Sequence, residues 1–171
     1  MAFGTTGAGT ITKEQTLLSI RRFSIAASTT ITKGEVCNPD ASGDLVTSTT
    51  GIVAEVPHYV ALETVDNSSG SASDLFCPVA VAGHYVTVIA GDTIEPGEWV
   101  VASAGTAGEV RAYVIGTHAV NQIVGTYVGK EGGSIAKAAS TPYAETFTDS
   151  ADFNPVPCAD NDVIEILLGS I

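Results

Sequence analysis

Histidine and cysteine side chains are the residues of this 171-residue chain best suited to catalysis or metal binding. His58, His84 and His118 lie far apart, each in an apolar, strand-like segment. None has an acidic residue at a spacing that would place a carboxylate beside its imidazole by local geometry. Because catalysis and metal binding need converging groups, we expect structural or surface histidines.

The three cysteines, Cys37, Cys77 and Cys158, are odd in number and widely separated. This spacing fits neither a paired disulfide framework nor a zinc site built on C-x-x-C motifs. A free cysteine behaves as a small apolar side chain and is among the most frequently buried residue types. The sequence therefore predicts three buried free thiols.

Two further active-site motifs are also missing or incomplete. No G-x-S-x-G elbow occurs, and the glycines at positions 4–9 lack the Lys-Ser/Thr that completes a phosphate-binding loop. Asp160 and Asp162, with Asp149 and Asp152 nearby, could gather a hard cation, but the alternating ligands of a calcium-binding loop are missing. We expect a solvated acidic turn at these residues. For the whole chain we expect no metal, no cofactor and no enzymatic activity.

The overall charge excludes several classes of partner. Asp and Glu number 19 against 7 Lys and Arg, which leaves a formal net charge of -12. Such a surface repels phosphate backbones and anionic lipids, so we expect neither nucleic-acid nor membrane binding. The N-terminus lacks the pattern of a secretory signal, and no apolar run reaches about 18 residues. We therefore expect synthesis in the cytoplasm.

An internal repeat is the most informative feature of the sequence. Residues 30–46 and 93–110 both read T-I-x-x-G-E, then apolar residues, then a small-residue turn with glycine, then an acid and valine. Gly34 and Gly97 supply the permissive backbone of a tight turn that leads into a strand. Each copy of the motif is therefore predicted to form a β-hairpin.

The rest of the chain also indicates an all-β fold. Val, Ile, Thr and Tyr dominate the ordered segments, and no window has a sustained apolar period of 3.6 residues. A helix over residues 13–22, with a possible capping box, is the one alternative, and an extended arm that leads into a strand is favoured. We predict a flexible N-terminal arm over residues 1–20 and a β domain over residues 21–171.

Two repeat-like halves, residues 21–91 and 92–171, are expected to build that domain. The second half contains a long insertion, residues 131–161, with aromatic residues and prolines. Connections of that length are usually functional or disordered.

Six short motifs follow one another along the chain: Phe23-Ser-Ile-Ala-Ala, Thr30-Ile-Thr-Lys-Gly-Glu-Val, Ser42-Gly-Asp-Leu-Val, Tyr59-Val-Ala-Leu-Glu, Val79-Ala-Val-Ala-Gly and Ile94-Glu-Pro-Gly-Glu-Trp-Val. In this order they resemble the capsid decoration (cement, or head-stabilising) proteins of tailed phages and related viruses. They span roughly residues 20 to 130, and the insertion departs from the family pattern. The resemblance implies a compact β-tulip or barrel-like fold.

The resemblance further implies a virion protein, commonly a homotrimer, that binds the major capsid protein on the outer capsid surface and stabilises the shell. The arm residues Phe3, Thr10 and Ile11 would then contact the shell by adding a strand to a sheet edge. The insertion aromatics Tyr143, Phe147 and Phe153 are candidates for inter-subunit or external contact.

Trp99 is a further candidate anchor for an external contact. Its counterpart in the first repeat, Val36, is apolar too, and this favours a core position for Trp99. The alternative function is a receptor- or glycan-binding module on the virion surface, since similar hairpins occur in sugar-binding domains. Glycan binding predicts exposed aromatic residues beside paired polar residues.

Overall fold

The protein is all-β in a computed structural model, which describes residues 11–13, 20–48, 57–72, 74–131, 135–136, 146–147 and 153–169. These residues contain one short 3-10 helix, Val120–Gln122, and no α-helix. The strands are β1 (Ile11–Lys13), β2 (Arg21–Ser24), β3 (Thr29–Ile31), β4 (Val36–Pro39), β5 (Leu45–Thr47), β6 (Tyr59–Ala61), β7 (Val65–Asn67), β8 (Phe76–Ala80), β9 (Tyr85–Ile89), β10 (Trp99–Ala102), β11 (Val110–Ala112), β12 (Ile123–Glu131), β13 (Ile135–Ala136), β14 (Thr146–Phe147), β15 (Phe153–Asn154) and β16 (Val163–Leu168). The predicted fold class is confirmed, and Arg21–Ser24 is a strand as favoured; the finer tulip or barrel-like closure stays a prediction.

The repeat in the sequence is also a repeat in sheet topology. The first sheet has the order β2-β8-β6-β4-β5, and the second contains the matching series β9-β16-β12-β10-β11, with β1 added beside β9 and β15 beside β12. The ladders in both series are antiparallel. Each strand of the first sheet therefore has a counterpart in the second.

Backbone contacts repeat at the same positions. The N–H of Gly34 donates to the Ala61 carbonyl at 2.8 Å, and the N–H of Gly97 donates to the Tyr127 carbonyl at 2.9 Å. The φ angles of the two glycines are 89° and 87°, in the left-handed region that favours glycine. Both predicted turn glycines are confirmed. Two parallel bridges also correspond, Ile25 with Leu45 and Ala90 with Val110.

The boundary between the halves lies earlier than the predicted position at residues 91 and 92. The apolar run at residues 78–90 is divided at Gly83, whose φ is 94°. Its second part, β9, pairs with β16 of the second sheet. The run therefore forms the last strand of one half and the first strand of the next, because a left-handed glycine lets the chain turn there.

The insertion takes the place of a short connection in the first half. Ile31 pairs with Val65 in the first half, and its counterpart Ile94 pairs with Cys158. The three residues 62–64 that join β6 to β7 thus correspond to the whole stretch between β12 and Cys158. The described part of this stretch includes strands β13, β14 and β15, so it is not a strand-free loop.

Two apolar clusters form the core. The smaller lies within the first half and includes Ile25, Ile31 and Leu45. The larger contains most of the buried residues of the second half together with Val36 and Val60 of the first half. Because first-half side chains contribute to the larger cluster, the two halves pack against each other through an apolar interface.

The β10–β11 turn of the second half is inserted against the first half. Gly108 donates its N–H to the Ser48 carbonyl at 3.2 Å and accepts the Val36 N–H at 2.8 Å. A Cβ at Gly108 would lie 2.5 Å from Cγ of Glu35, and the φ of Gly108 is 85°. Glycine is therefore needed here for both its backbone conformation and its close packing.

We expect Gly108→Ala to weaken this contact. Gly83→Ala is the matched control, because Gly83 also has a positive φ but nothing lies within 4 Å of a Cβ added there. Both variants carry backbone strain, and only Gly108→Ala adds a steric collision. Urea unfolding should give a loss of stability about 1–3 kcal/mol larger for Gly108→Ala. Equal losses would contradict the tight contact.

Candidate functional site

The predicted arm contacts are only partly described by the structure. Phe3 and Thr10 lie outside the described residues. Ile11 lies in β1 and pairs with Val86 of β9 in the same chain. Ile11 is thus paired within the chain, because β1 lies along the edge of the chain's own sheet, where β9 backbone groups need partners. Its contact with a shell stays a prediction.

The predicted contact aromatics of the insertion lie on different elements. Tyr143 lies outside the described residues. Phe147 is in β14, which pairs with β13, and Phe153 is in β15, which pairs with β12. Phe147 and Phe153 therefore lie in separate pairs of strands. Their role in inter-subunit or external contacts stays a prediction.

The three cysteines are buried and free, as the sequence predicts. Burial raises the pKa of the Cys77 thiol to about 11 and also raises the pKa values of Cys37 and Cys158. A thiol with a raised pKa stays protonated at neutral pH and is a weak nucleophile. These cysteines therefore serve as core residues.

Two of the histidines have local partners. His84 is buried, and its Nδ1 lies 2.8 Å from the Val81 carbonyl. His118 accepts the Val114 N–H at Nδ1, 2.9 Å away, and its Nε2 lies 3.0 Å from Nη2 of Arg111. Burial, and then the charge of Arg111, lower the pKa of His118. Both residues support local structure, as the sequence predicts.

His58 lines a cleft of about 430 Å³ between the two halves. The cleft is lined by Arg21, Pro57, His58, Tyr59, Val81, Ala82, Asn121, Ile123, Val124 and Gly169. Burial lowers the pKa of His58, and the backbone of Asn121 offsets this only in part. Neither ring nitrogen has a hydrogen-bond partner of ordinary geometry among the described residues. No carboxylate or thiol of the described residues lines the cleft.

The predicted acidic turn is held by local bonds. The carboxylate of Asp162 accepts the Ala159 N–H at 2.7 Å and lies 2.7 Å from Nζ of Lys130. Asp149 and Asp152 lie outside the described residues. In the part of the chain that the structure describes, no group of three or more His, Cys, Asp or Glu residues is placed to hold a metal ion.

A group of exposed apolar side chains of the described residues lies in the second half, at Trp99 and at residues 114–120. The Trp99 side chain is 44% exposed, and Val114, Ile115 and Val120 are exposed by 51%, 87% and 53%. The Trp99 and Tyr113 rings meet edge to face with centroids 5.8 Å apart. We call Trp99, Tyr113, Val114, Ile115 and Val120 the Trp99 patch. Exposed apolar clusters of this kind mark binding surfaces.

The expectation that Trp99 lies in the core is wrong. Val36, its counterpart, is fully buried, because the second half covers that position of the first half. No described part of the chain covers Trp99 in the same way. The sequence repeat could not reveal this difference, because the two positions are equivalent within their own sheets.

Ser134 and Lys137 have the Ser-x-x-Lys spacing that some serine enzymes use for a nucleophile and its base. Both residues lie outside the described part of the chain.

Comparison of the chain with protein-family models, curated proteins and solved structures gives no match. Within the described residues, no helix is long and apolar enough to cross a membrane.

The lowered pKa of His58 predicts a dependence of stability on pH. The unfolded histidine takes up a proton near pH 6.5, whereas the folded one resists protonation. The stability that the neutral imidazole contributes is present above about pH 6.5 and is lost as the pH falls towards the lower folded-state pKa. Urea unfolding at about pH 7.5 and about pH 5.5 should show a smaller acid-induced loss for His58→Leu than for the native chain. An identical loss in both proteins would contradict this assignment.

Proposed function

We propose that the protein is a capsid decoration protein of a tailed phage or related virus, which binds the outer surface of the assembled shell and stabilises it without catalysis. Its partners would be the major capsid protein of the same virus and other copies of itself, in a trimer. The virion would then be its site of action.

The duplicated hairpin unit is the observation that carries this proposal. Two of the motifs that resemble the decoration family, the ones that begin at Thr30 and Ile94, lie at corresponding positions of the two halves, with Gly34 and Gly97 at the same turn. The strand order of the two sheets also corresponds, and this repetition of one β unit supports the resemblance.

The distribution of reactive groups supports a structural role rather than an enzymatic one. The described histidines lie apart, and the cleft at His58 has no acid or thiol of the described residues in its lining. The cysteines are protonated core residues. The net charge of -12 would keep the protein away from packaged nucleic acid and anionic membranes.

We assign attachment to the shell to residues 1–10, which precede β1 in the sequence, with Phe3 and Thr10 as contacts. Binding by several arms of one oligomer would raise the overall affinity through effective concentration.

Deletion of residues 2–10 tests the proposal and leaves β1 in place. We expect the native protein to cosediment with shells assembled from the major capsid protein of the same virus, and the deleted protein to show much lower occupancy. Circular dichroism should show the same β content for both. The proposal fails if the native protein does not bind these shells. If the deleted protein binds as well as the native one, only the assignment of shell contact to the arm is excluded.

Glycan binding is the second candidate, and the exposed Trp99 patch favours it. The indole of Trp99 stands beside Tyr113, and Arg111 and His118 form a polar pair nearby. Aromatic faces next to polar side chains are suited to sugar rings.

Trp99 is the sole tryptophan, so its fluorescence reports directly on this patch. If glycans bind here, titration with neutral and acidic oligosaccharides should give saturable quenching that Arg111→Ala weakens. A flat titration with every oligosaccharide would remove this candidate.

A further inference from the structure

An edge of the first half is occupied by a turn of the second half. The N–H of Val36 donates to the Gly108 carbonyl, and the N–H of Gly108 donates to the Ser48 carbonyl. The Gly108 backbone thus bridges Val36 on β4 and Ser48 just after β5. We call this pair of residues the acceptor edge of the first half, and the turn that contains Gly108 the inserted turn.

The second half has the same acceptor edge, formed by Trp99 and Tyr113. The N–H of Tyr113 donates to the Trp99 carbonyl at 2.8 Å, just as Ser48 donates to Val36 at 2.8 Å. Among the described residues, no backbone group bridges Trp99 and Tyr113 in the way that Gly108 bridges their counterparts. Trp99 remains 44% exposed at this edge.

The first half also has the counterpart of the inserted turn, at residues 40–43. The N–H of Asp40 donates to the Asp44 carbonyl at 2.8 Å, and the N–H of Ser103 donates to the Glu109 carbonyl at the same distance. Gly43 has a φ of 88°, close to the 85° of Gly108. The same kind of backbone bond therefore closes both turns, around three residues (41–43) in the first half and five (104–108) in the second.

Gly43 and Gly108 differ in their surroundings. Gly108 is buried against Glu35, whereas Gly43 is exposed and has no atom of the described residues within 4 Å of an added Cβ. Packing against the described residues thus does not require glycine at position 43. One half has an uncovered turn, and the other has an uncovered acceptor edge.

We propose that the Trp99–Tyr113 edge binds the 40–43 turn of a second copy of this chain, in the way that the Val36–Ser48 edge binds the inserted turn within one chain. The contact joins two different surfaces, so it is head-to-tail and generates a ring or an open chain of copies. Gly43 of the second copy would then pack against Glu98 of the first, since Glu98 is the counterpart of Glu35. This assembly does not depend on the capsid-binding proposal.

Two variants each disable one side of the contact. Gly43→Asn adds a side chain where Gly108 tolerates none, and asparagine accepts a left-handed backbone better than most residues. Gly83→Asn is its control, because Gly83 has a φ of 94° and equally open surroundings. Trp99→Lys disables the edge, and Ile20→Lys is its control because Ile20 is exposed to nearly the same extent, 42%.

Sedimentation velocity over a wide concentration range is the measurement. We expect the native chain and both controls to form assemblies larger than a dimer, whereas Gly43→Asn and Trp99→Lys each sediment as monomers. In the native chain, tryptophan emission should shift to the blue as the concentration rises, since assembly would bury Trp99.

Mixing the two disabled variants gives the decisive result. Trp99→Lys retains the turn and Gly43→Asn retains the edge, so their mixture should form a dimer that cannot grow further. A mixture that stays monomeric would overturn the head-to-tail contact. A native chain that is monomeric at all concentrations would also overturn this contact. So would a Trp99 that becomes buried only when shells or an oligosaccharide are added, because the edge would then bind the shell or the oligosaccharide.

Discussion

The insertion of the Gly108 turn between Val36 and Ser48 is the contact on which the arrangement of the two halves depends. It joins backbone groups of the two units directly, and the Val36 side chain beside it enters the larger apolar cluster. The contact is possible only because residue 108 has no side chain and adopts a positive φ. A local backbone property thus permits the long-range packing of one repeat on the other.

A duplicated unit that packs through two different surfaces is necessarily asymmetric. Among the described residues, the edge of the first half and the turn of the second half are covered, whereas the edge of the second half and the turn of the first half are not. Apolar residues at equivalent positions therefore have different environments: Val36 is buried and Trp99 is exposed. This asymmetry places the candidate binding surface on the second half and suggests the partner that fits it.

The reactive side chains of the described residues lie in separate local environments. His58 has no carboxylate of the described residues beside it, the thiols are protonated in the core, and the acidic turn is held by Lys130 and backbone donors. An exposed aromatic patch and a negatively charged surface are compatible with a protein that acts by binding. The proposed roles in shell binding and in self-association are both roles of this kind.

The sequence by itself determined the features that depend on neighbouring residues. Gly34 and Gly97 were found as turn glycines because a left-handed backbone position selects glycine locally, and the β-branched runs indicated strands for the same kind of reason. Tertiary structure decided which sheet β9 joins, how Ile11 is paired within the chain, and which of two equivalent apolar residues is buried. These outcomes depend on contacts between residues far apart in the chain, and no local pattern distinguishes Val36 from Trp99 until one half covers the other.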